Sequence, residues 1–383
     1  MKRLPLYLTI LALACLGSCV YPYDSLPESR KERTLVVDGR ILIGGISSIQ
    51  LNYVTPLNAT GGSYPSGDAW IEDDLGNIFR DASHELSRSF SIHTESPAAG
   101  ASSYRAVVEV DGERYASDWI VPDNPPVIDD ITFEADDDNV SVMVDLGTGD
   151  SKTGYAGFLL EENWEFHADE YPRSFINTAT WEYYSDREIS NMDSLIVNYW
   201  CFRSDSTKSV IMLDYSNLEG DAVKSFPVKT FPRTDSRNHK RYSVNVKAFS
   251  LSKDAYDYGR RLREMSNVGS DLFTPDPGTL NGNIHCETDP LREVMGIVLA
   301  GKMTSRRAFM RGQYAKQAQS YVPFVFVEKE DMPLMYYDRL YRPVRLLSHE
   351  DTMSVGWAPI RCIDCIEDGG TQTPPDFWNE EEN

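Results

Sequence analysis

From Thr34 onward the chain consists of short runs of β-forming residues, each closed by a turn, and this restricts it to folds assembled from packed sheets. In Ile49-Gln50-Leu51-Asn52-Tyr53 apolar and polar residues alternate, as on a strand with one buried face. Leu35-Val36-Val37-Asp38-Gly39-Arg40-Ile41 reads as a second strand, with Gly39 a point where it can kink. Ala69-Trp70-Ile71-Glu72 and Asn77-Ile78-Phe79 flank Asp73-Asp74-Leu75-Gly76, a hairpin signal. Tyr104 to Val110 and Glu113 to Val121 flank Asp111-Gly112, the strongest short hairpin signal in the chain. No helical period runs through this stretch, so residues 33–124 are expected to form a small β-sandwich.

Pro122-Asp123-Asn124-Pro125-Pro126 then interrupts the pattern, and three prolines in five residues cannot continue a central strand. A second series follows. Val127 to Ala135 and Asn139 to Asp145 flank Asp136-Asp137-Asp138, and further strands are expected at Tyr155 to Glu161, Ser194 to Phe202, Ser209 to Tyr215, Tyr242 to Phe249 and Val294 to Ala300. Residues 162–193, with Trp164, Trp181, Tyr183 and Tyr184, read as an aromatic-rich insertion. Lys253 to Val268 is the one clear helix, with Ser252 as N-cap and Gly269 as C-terminal stop; Gly259 weakens its interior. The expected fold is mainly β: two immunoglobulin- or fibronectin-like sandwiches, residues 33–124 and 125–366, the second enlarged by insertions and the helix. Residues 367–383 read as a partly docked tail.

The N-terminus reads as an address. Lys2 and Arg3 precede the apolar run Leu6 to Leu16, which ends in Leu16-Gly17-Ser18-Cys19, the layout of a secretory signal too short to span a bilayer. Leu-Gly-Ser-Cys resembles the lipobox of bacterial lipoproteins. That resemblance makes residues 1–18 a signal peptide, Cys19 the lipidated first residue that holds the chain to a bilayer, and residues 19–32 a tether. Of the six cysteines, Cys201, Cys286, Cys362 and Cys365 then remain. An even number outside the reducing cytosol is expected to form structural disulfides, with three connectivities open. A redox pair at Cys362-Ile363-Asp364-Cys365 lacks a strand leading into a helix N-terminus. A zinc site would need further spaced ligands, with His285-Cys286 the obvious source.

The formal charge of −22 argues against nucleic acid as a partner. Charge is also segregated: residues 129–170 hold 13 acids and one basic residue, Lys152, whereas residues 225–263 hold 10 basic residues and 3 acids. These are two solvated faces, or segments that pair with each other, or a basic patch around Arg233, Arg237, Lys240 and Arg241 that meets an anionic ligand or acidic partner. Trp164, Trp181, Tyr183 and Tyr184 are candidates for stacking on sugars or a partner, with burial in the second core as the alternative. Glu161, Glu162, Glu165, His167, Asp169 and Glu170 are the densest set of carboxylates and imidazole, but their spacing matches no metal loop. His84-Glu85 and His349-Glu350 lack the second histidine of a zincin, and no nucleophile elbow is present. The expectation is a protein without catalytic residues, metal or cofactor.

Taken in order, several short motifs resemble a family of Bacteroidota outer-membrane lipoproteins catalogued as domain of unknown function 4249. They are Leu35-Val36-Val37-Asp38-Gly39, Tyr242-Ser243-Val244 leading into Leu251-Ser252-x-x-Ala255-Tyr256, Pro275-Asp276-Pro277, and Gly282-Asn283-Ile284-x-Cys286. Cys362-x-x-Cys365, Gly369-Gly370-Thr371 and Pro375-Asp376-Phe377-Trp378 complete the series. The resemblance implies an accessory or substrate-capture partner of a TonB-dependent outer-membrane transporter, and it carries over no catalytic residue. The rival expectation is a free-standing surface adhesin that binds glycans or peptides.

Overall fold

A computed structural model describes residues 34–54, 64–83, 85–94, 101–147, 149–185, 198–218, 222–267, 282–316, 322–337, 341–349 and 352–379. Cys19 with its leader and tether, Gly269 and Pro275-Asp276-Pro277 lie outside the described residues. The first series comprises β1 (Leu35–Ile43), β2 (Gly45–Tyr53), β3 (Gly67–Asp73), β4 (Ile78–Arg80), β5 (Ser89–Thr94), β6 (Tyr104–Val110) and β7 (Glu113–Ser117). Beyond the prolines come β8 (Val127–Ala135), β9 (Asn139–Gly147), β10 (Tyr155–His167), β11 (Ser174–Asn177), β12 (Glu182–Ser185), β13 (Trp200–Ser206), β14 (Ile211–Asp214), β15 (Ala222–Pro232), β16 (Arg241–Ser250) and the helix α1 (Lys253–Asn267). The chain closes with β17 (Ile284–Cys286), β18 (Val294–Met295), β19 (Val298–Arg311), β20 (Val325–Phe326), the short helix α2 (Met332–Tyr337), β21 (Tyr341–His349) and β22 (Thr352–Pro359).

The protein is mainly β, with several sheets. The largest runs β13-β10-β16-β19-β1-β2-β5, with β14 on β10 and β18 on β1. Here β1 and β19 lie parallel, Gly39 opposite Val298 and Ile43 opposite Lys302. The 122–126 segment therefore divides the strands in sequence, but one sheet contains strands from both sides of it. Two cores form on that sheet. In the first, Val37, Ile41, Ile49 and Leu51 pack with Ile71, Ala106, Val108 and Tyr115 of the sheet β17-β7-β6-β3-β4. In the second, Val140, Val142 and Val144 of the sheet β15-β9-β8 pack with Phe158, Leu160, Trp164, Tyr242, Val244 and Val246.

Both expected hairpins of the first series are present, as β3–β4 and β6–β7, and Asp73 Oδ1 closes the first by accepting from the Leu75 and Asn77 amides. β1 runs through Gly39 without a break. One expectation needs correction: residues 162–167 are not part of an insertion, because β10 continues to His167. Ala156, Phe158, Leu160, Glu162, Trp164 and Phe166 all lie buried at alternate positions. The strand pattern survives, with a carboxylate in one apolar place.

The Ser252 N-cap holds: its Oγ accepts from the Ala255 amide at 3.1 Å. Ala255 packs into a cluster with Leu42, Phe249 and Leu251, against which Met212, Ile297 and Leu299 also rest. Gly259 belongs inside this helix because a Cβ there would meet Met212 Sδ at 2.7 Å. The tail docks through Trp378, which is buried beneath Arg241 and beside Phe202 and Phe309.

The expected four-cysteine staple is also corrected. Cys201 and Cys365 are bridged, whereas Cys286 and Cys362 are free and buried. Those two cannot meet because they belong to different cores: Cys286 packs with the first, and Cys362 with a small cluster around Val344 and Ile363.

Candidate functional site

The acidic and basic segments pair with each other, strand against strand. Glu162 is the centre of this seam. It accepts from Arg237 Nε at 2.8 Å, Lys229 Nζ at 2.9 Å and the Tyr242 hydroxyl at 2.9 Å, while only 1% exposed. Burial and the neighbouring Glu162 carboxylate push the Tyr242 hydroxyl far above its ordinary value. Burial opposes the Arg237 charge, but Glu162 and Asp235 outweigh it and hold the guanidinium above its usual range. Glu161 on the same strand pairs with Lys247 and Glu165 with Lys240, while Glu170, beyond β10, reaches Arg345 of β21 at 3.6 Å.

The residues singled out from sequence are thereby accounted for. Trp164 is buried, donates from Nε1 to Ser236 Oγ at 3.0 Å, and carries Arg237 over its ring. Trp181 is half-buried against Tyr336 and Tyr337. The Tyr183 hydroxyl accepts from Trp357 Nε1, and the Tyr184 hydroxyl from Asn177. Arg233 donates to the Tyr314 and Asp136 carbonyls, Lys240 to Glu165, and Arg241 to the Trp378 carbonyl. Trp164 belongs to the second core and the four basic residues to its seams, whereas Trp181 and Tyr183 pack in a separate cluster with Ile176, Met332, Val355 and Trp357; the eight do not converge on one open site. Among the described residues, no group of three or more His, Cys, Asp and Glu is placed to hold a metal ion.

Open space lies on either side of α1. One cleft, of about 430 Å³, is bordered by Asp118, Asp123 and Asp254 with Trp119. The other, of about 440 Å³, runs between α1 and the exposed face of β1–β2. Ala255, Ile297 and Leu299 border both, so the helix forms the wall between them. The two clefts differ in sign: the first is acidic, and the second presents Arg40, Lys208 and Arg263.

The second cleft is the candidate site. Its floor comes from strand alternation: Val37 and Ile41 point into the first core, which turns Asp38 and Arg40 to the other face. Arg40 is half-buried, donates from Nε to Ser48 Oγ at 3.1 Å, and burial lowers its guanidinium pKa. Asp38 opens onto the cleft, yet the protein packed around it raises its carboxyl above the ordinary range, against a hydrogen bond with the Ile297 backbone. Lys208 and Arg263 are exposed at the rim, and Arg263 reaches only the Val210 carbonyl at 3.5 Å. Val210, Met212, Leu262 and Leu299 supply the apolar wall. Sequence reasoning named none of these residues as a site. The alternation of β1 placed Asp38 and Arg40 on one face, but no sequence signal brings Lys208 and Arg263 to them.

The family described as "Domain of unknown function (DUF4249)" matches residues 20–307. No curated protein matches the chain.

Proposed function

The chain belongs to the DUF4249 family, and from that premise we propose that it is a lipid-anchored outer-membrane protein that captures substrate for a TonB-dependent transporter without catalysing a reaction. The observation that carries this reading is the cleft beside α1, where fixed charges and an apolar wall meet on an open surface, the chemistry of holding a ligand. The carboxylates of β10 support it from the other side: each is tied to a cation, an arrangement of structure more than of acid–base work. Cys19 is the anchor, and the 14 residues from it to Glu32 allow a reach of at most about 50 Å, enough to hold the body near the bilayer. We read the two cores as two immunoglobulin-like sandwiches fused through the central sheet, which would serve as a rigid platform for the cleft.

The test is affinity purification of the tagged full chain from solubilised outer membranes. Recovery of a TonB-dependent transporter in near-stoichiometric amount is expected, and recovery of the chain without one overturns the proposal. Cys19→Ser should also move the protein from the membrane to the soluble fraction.

A second reading, a free-standing glycan-binding adhesin, rests on one cluster of rings. Tyr171 and Trp200 are 51% and 40% exposed, and they join Tyr199, His167 and His239 in a continuous patch. It predicts glycan-array binding that is lost in Trp200→Ala, and an array with no signal removes it.

A further inference from the structure

Arg40 is half-buried beside an open cleft and donates to a hydroxyl instead of a carboxylate. The chain carries 59 acids against 37 basic residues, and half-buried arginines such as Arg105 and Arg237 contact carboxylates. Among the described residues Arg40 contacts none: its Nε goes to a serine hydroxyl, and Asp38, two residues along the same face, forms no ion pair with it. Lys208 and Arg263 at the rim likewise have no carboxylate partner among the described residues. Removing a guanidinium from water without a counter-charge is costly, and burial already lowers the Arg40 pKa. Three cations against the single acid Asp38 leave an excess of positive charge around one cleft in an otherwise acidic protein.

Resting on the reading of this cleft as a capture site, we propose that it binds a small amphiphilic anion, a carboxylate or phosphate attached to an apolar body. The anionic head sits over Arg40 between Lys208 and Arg263. The apolar part lies along Val210, Met212, Leu262 and Leu299, and about 440 Å³ is room for a ligand of modest size. Asp38 faces the same space and opposes the head, so it sets a ceiling on affinity for anions. The acidic cleft across α1 repels the same ligand and confines it to one side of the helix.

The test uses residues 19–383 carrying Cys19→Ser, so that the chain is soluble without detergent, and titrates 1-anilinonaphthalene-8-sulfonate by fluorescence. One saturable site is expected, displaced by octanoate and by octyl phosphate but not by neutral octyl glucoside below its micellar concentration. Displacement by only one of the two anions names the head group. Lys208→Gln and Arg263→Gln should each weaken binding about threefold and Arg40→Gln about tenfold, while Asp38→Asn strengthens it about threefold. The rim variants are on exposed residues and keep the test valid if Arg40→Gln fails to fold. Binding that ignores all four substitutions, or displacement by octyl glucoside equal to that by octanoate, overturns the proposal. The transporter pull-down is a separate readout, so a cleft that fails here leaves the accessory role standing, and a pull-down that fails leaves the cleft chemistry standing.

Discussion

Replacing Glu162 by Gln tests whether the seam between the acidic and basic segments holds the second core together. The carboxylate is 1% exposed and accepts from Arg237, Lys229 and Tyr242. Gln keeps one acceptor oxygen but brings an NH₂ group that faces two cations. Arg237 and Tyr242 are themselves largely buried and lose their counter-charge together. Removing one partner of a buried pair costs about 3–5 kcal/mol, and the acceptor that Gln retains places the expected loss near 3 kcal/mol. The control is the adjacent residue. Glu161 pairs with Lys247 but its side chain is 44% exposed, so Glu161→Gln should cost no more than about 1 kcal/mol. Urea unfolding followed by tryptophan fluorescence measures both, and Trp164 under Arg237 is a local reporter. A double-mutant cycle with Arg237→Gln should show a coupling above about 1.5 kcal/mol. Equal effects at 161 and 162, or additive effects at 162 and 237, would refute the reasoning.

Three further outcomes follow from other contacts. The Cys201–Cys365 bridge closes a separation of 164 residues, for which chain entropy gives about 5 kcal/mol; Cys365→Ala should lower the urea midpoint markedly, and in residues 19–383 carrying Cys19→Ser denaturing alkylation without reductant should label Cys286 and Cys362 alone. His239 is held neutral by burial and by stacked His167, its pKa lowered from 6.5 to about 4. The unfolded chain therefore takes up the proton first, so this stability is complete above pH 6.5 and is lost as pH falls toward 4, by about 2–3 kcal/mol; His239→Gln should flatten that slope in urea titrations at stepped pH. Trp378→Ala empties the pocket that docks the tail and should cost about 3 kcal/mol, read as a lower thermal midpoint; an unchanged midpoint would mean that the tail does not contribute.

Local signals in the sequence were reliable wherever backbone geometry alone decides the structure. The Asp111-Gly112 turn, the Asp73 turn and the Ser252 cap all form from residues within a few positions of one another. Signals failed where tertiary partners supply what the sequence lacks. Glu162 on an apolar strand face looked like the end of β10, because its stabilising cations lie at 229 and 237. Pro227 and Pro232 argue against a strand at β15, which is tolerated as the edge of the sheet β15-β9-β8. The pairing of β1 with β19 was equally hidden, since nothing in Val37-Asp38-Gly39 or Ile297-Val298 specifies a parallel partner some 260 residues away.

The same distinction explains the site. The motifs that identify the family mark turns, caps and seams. Ser252 and Ala255 start α1, Asn283 both donates to and accepts from the Val298 backbone, and Trp378 seals the tail. These describe how the body is held, and among the described motif residues Asp38 opens onto the candidate cleft. Trp164 and Arg237 are drawn into the second core and its seam, because an acidic chain that buries Glu162 needs cations there to do it, and Trp181 and Tyr183 are taken up by a separate cluster around Trp357. What remains open is the place where that logic is not applied: Arg40, Lys208 and Arg263 come from a strand, a loop and a helix, each unremarkable alone, and only the packing of α1 on the sheet sets them around one cleft. Arg40 combines a hydroxyl partner with a place in the open cleft, and substitution at Arg40 is where a functional role separates from a structural one.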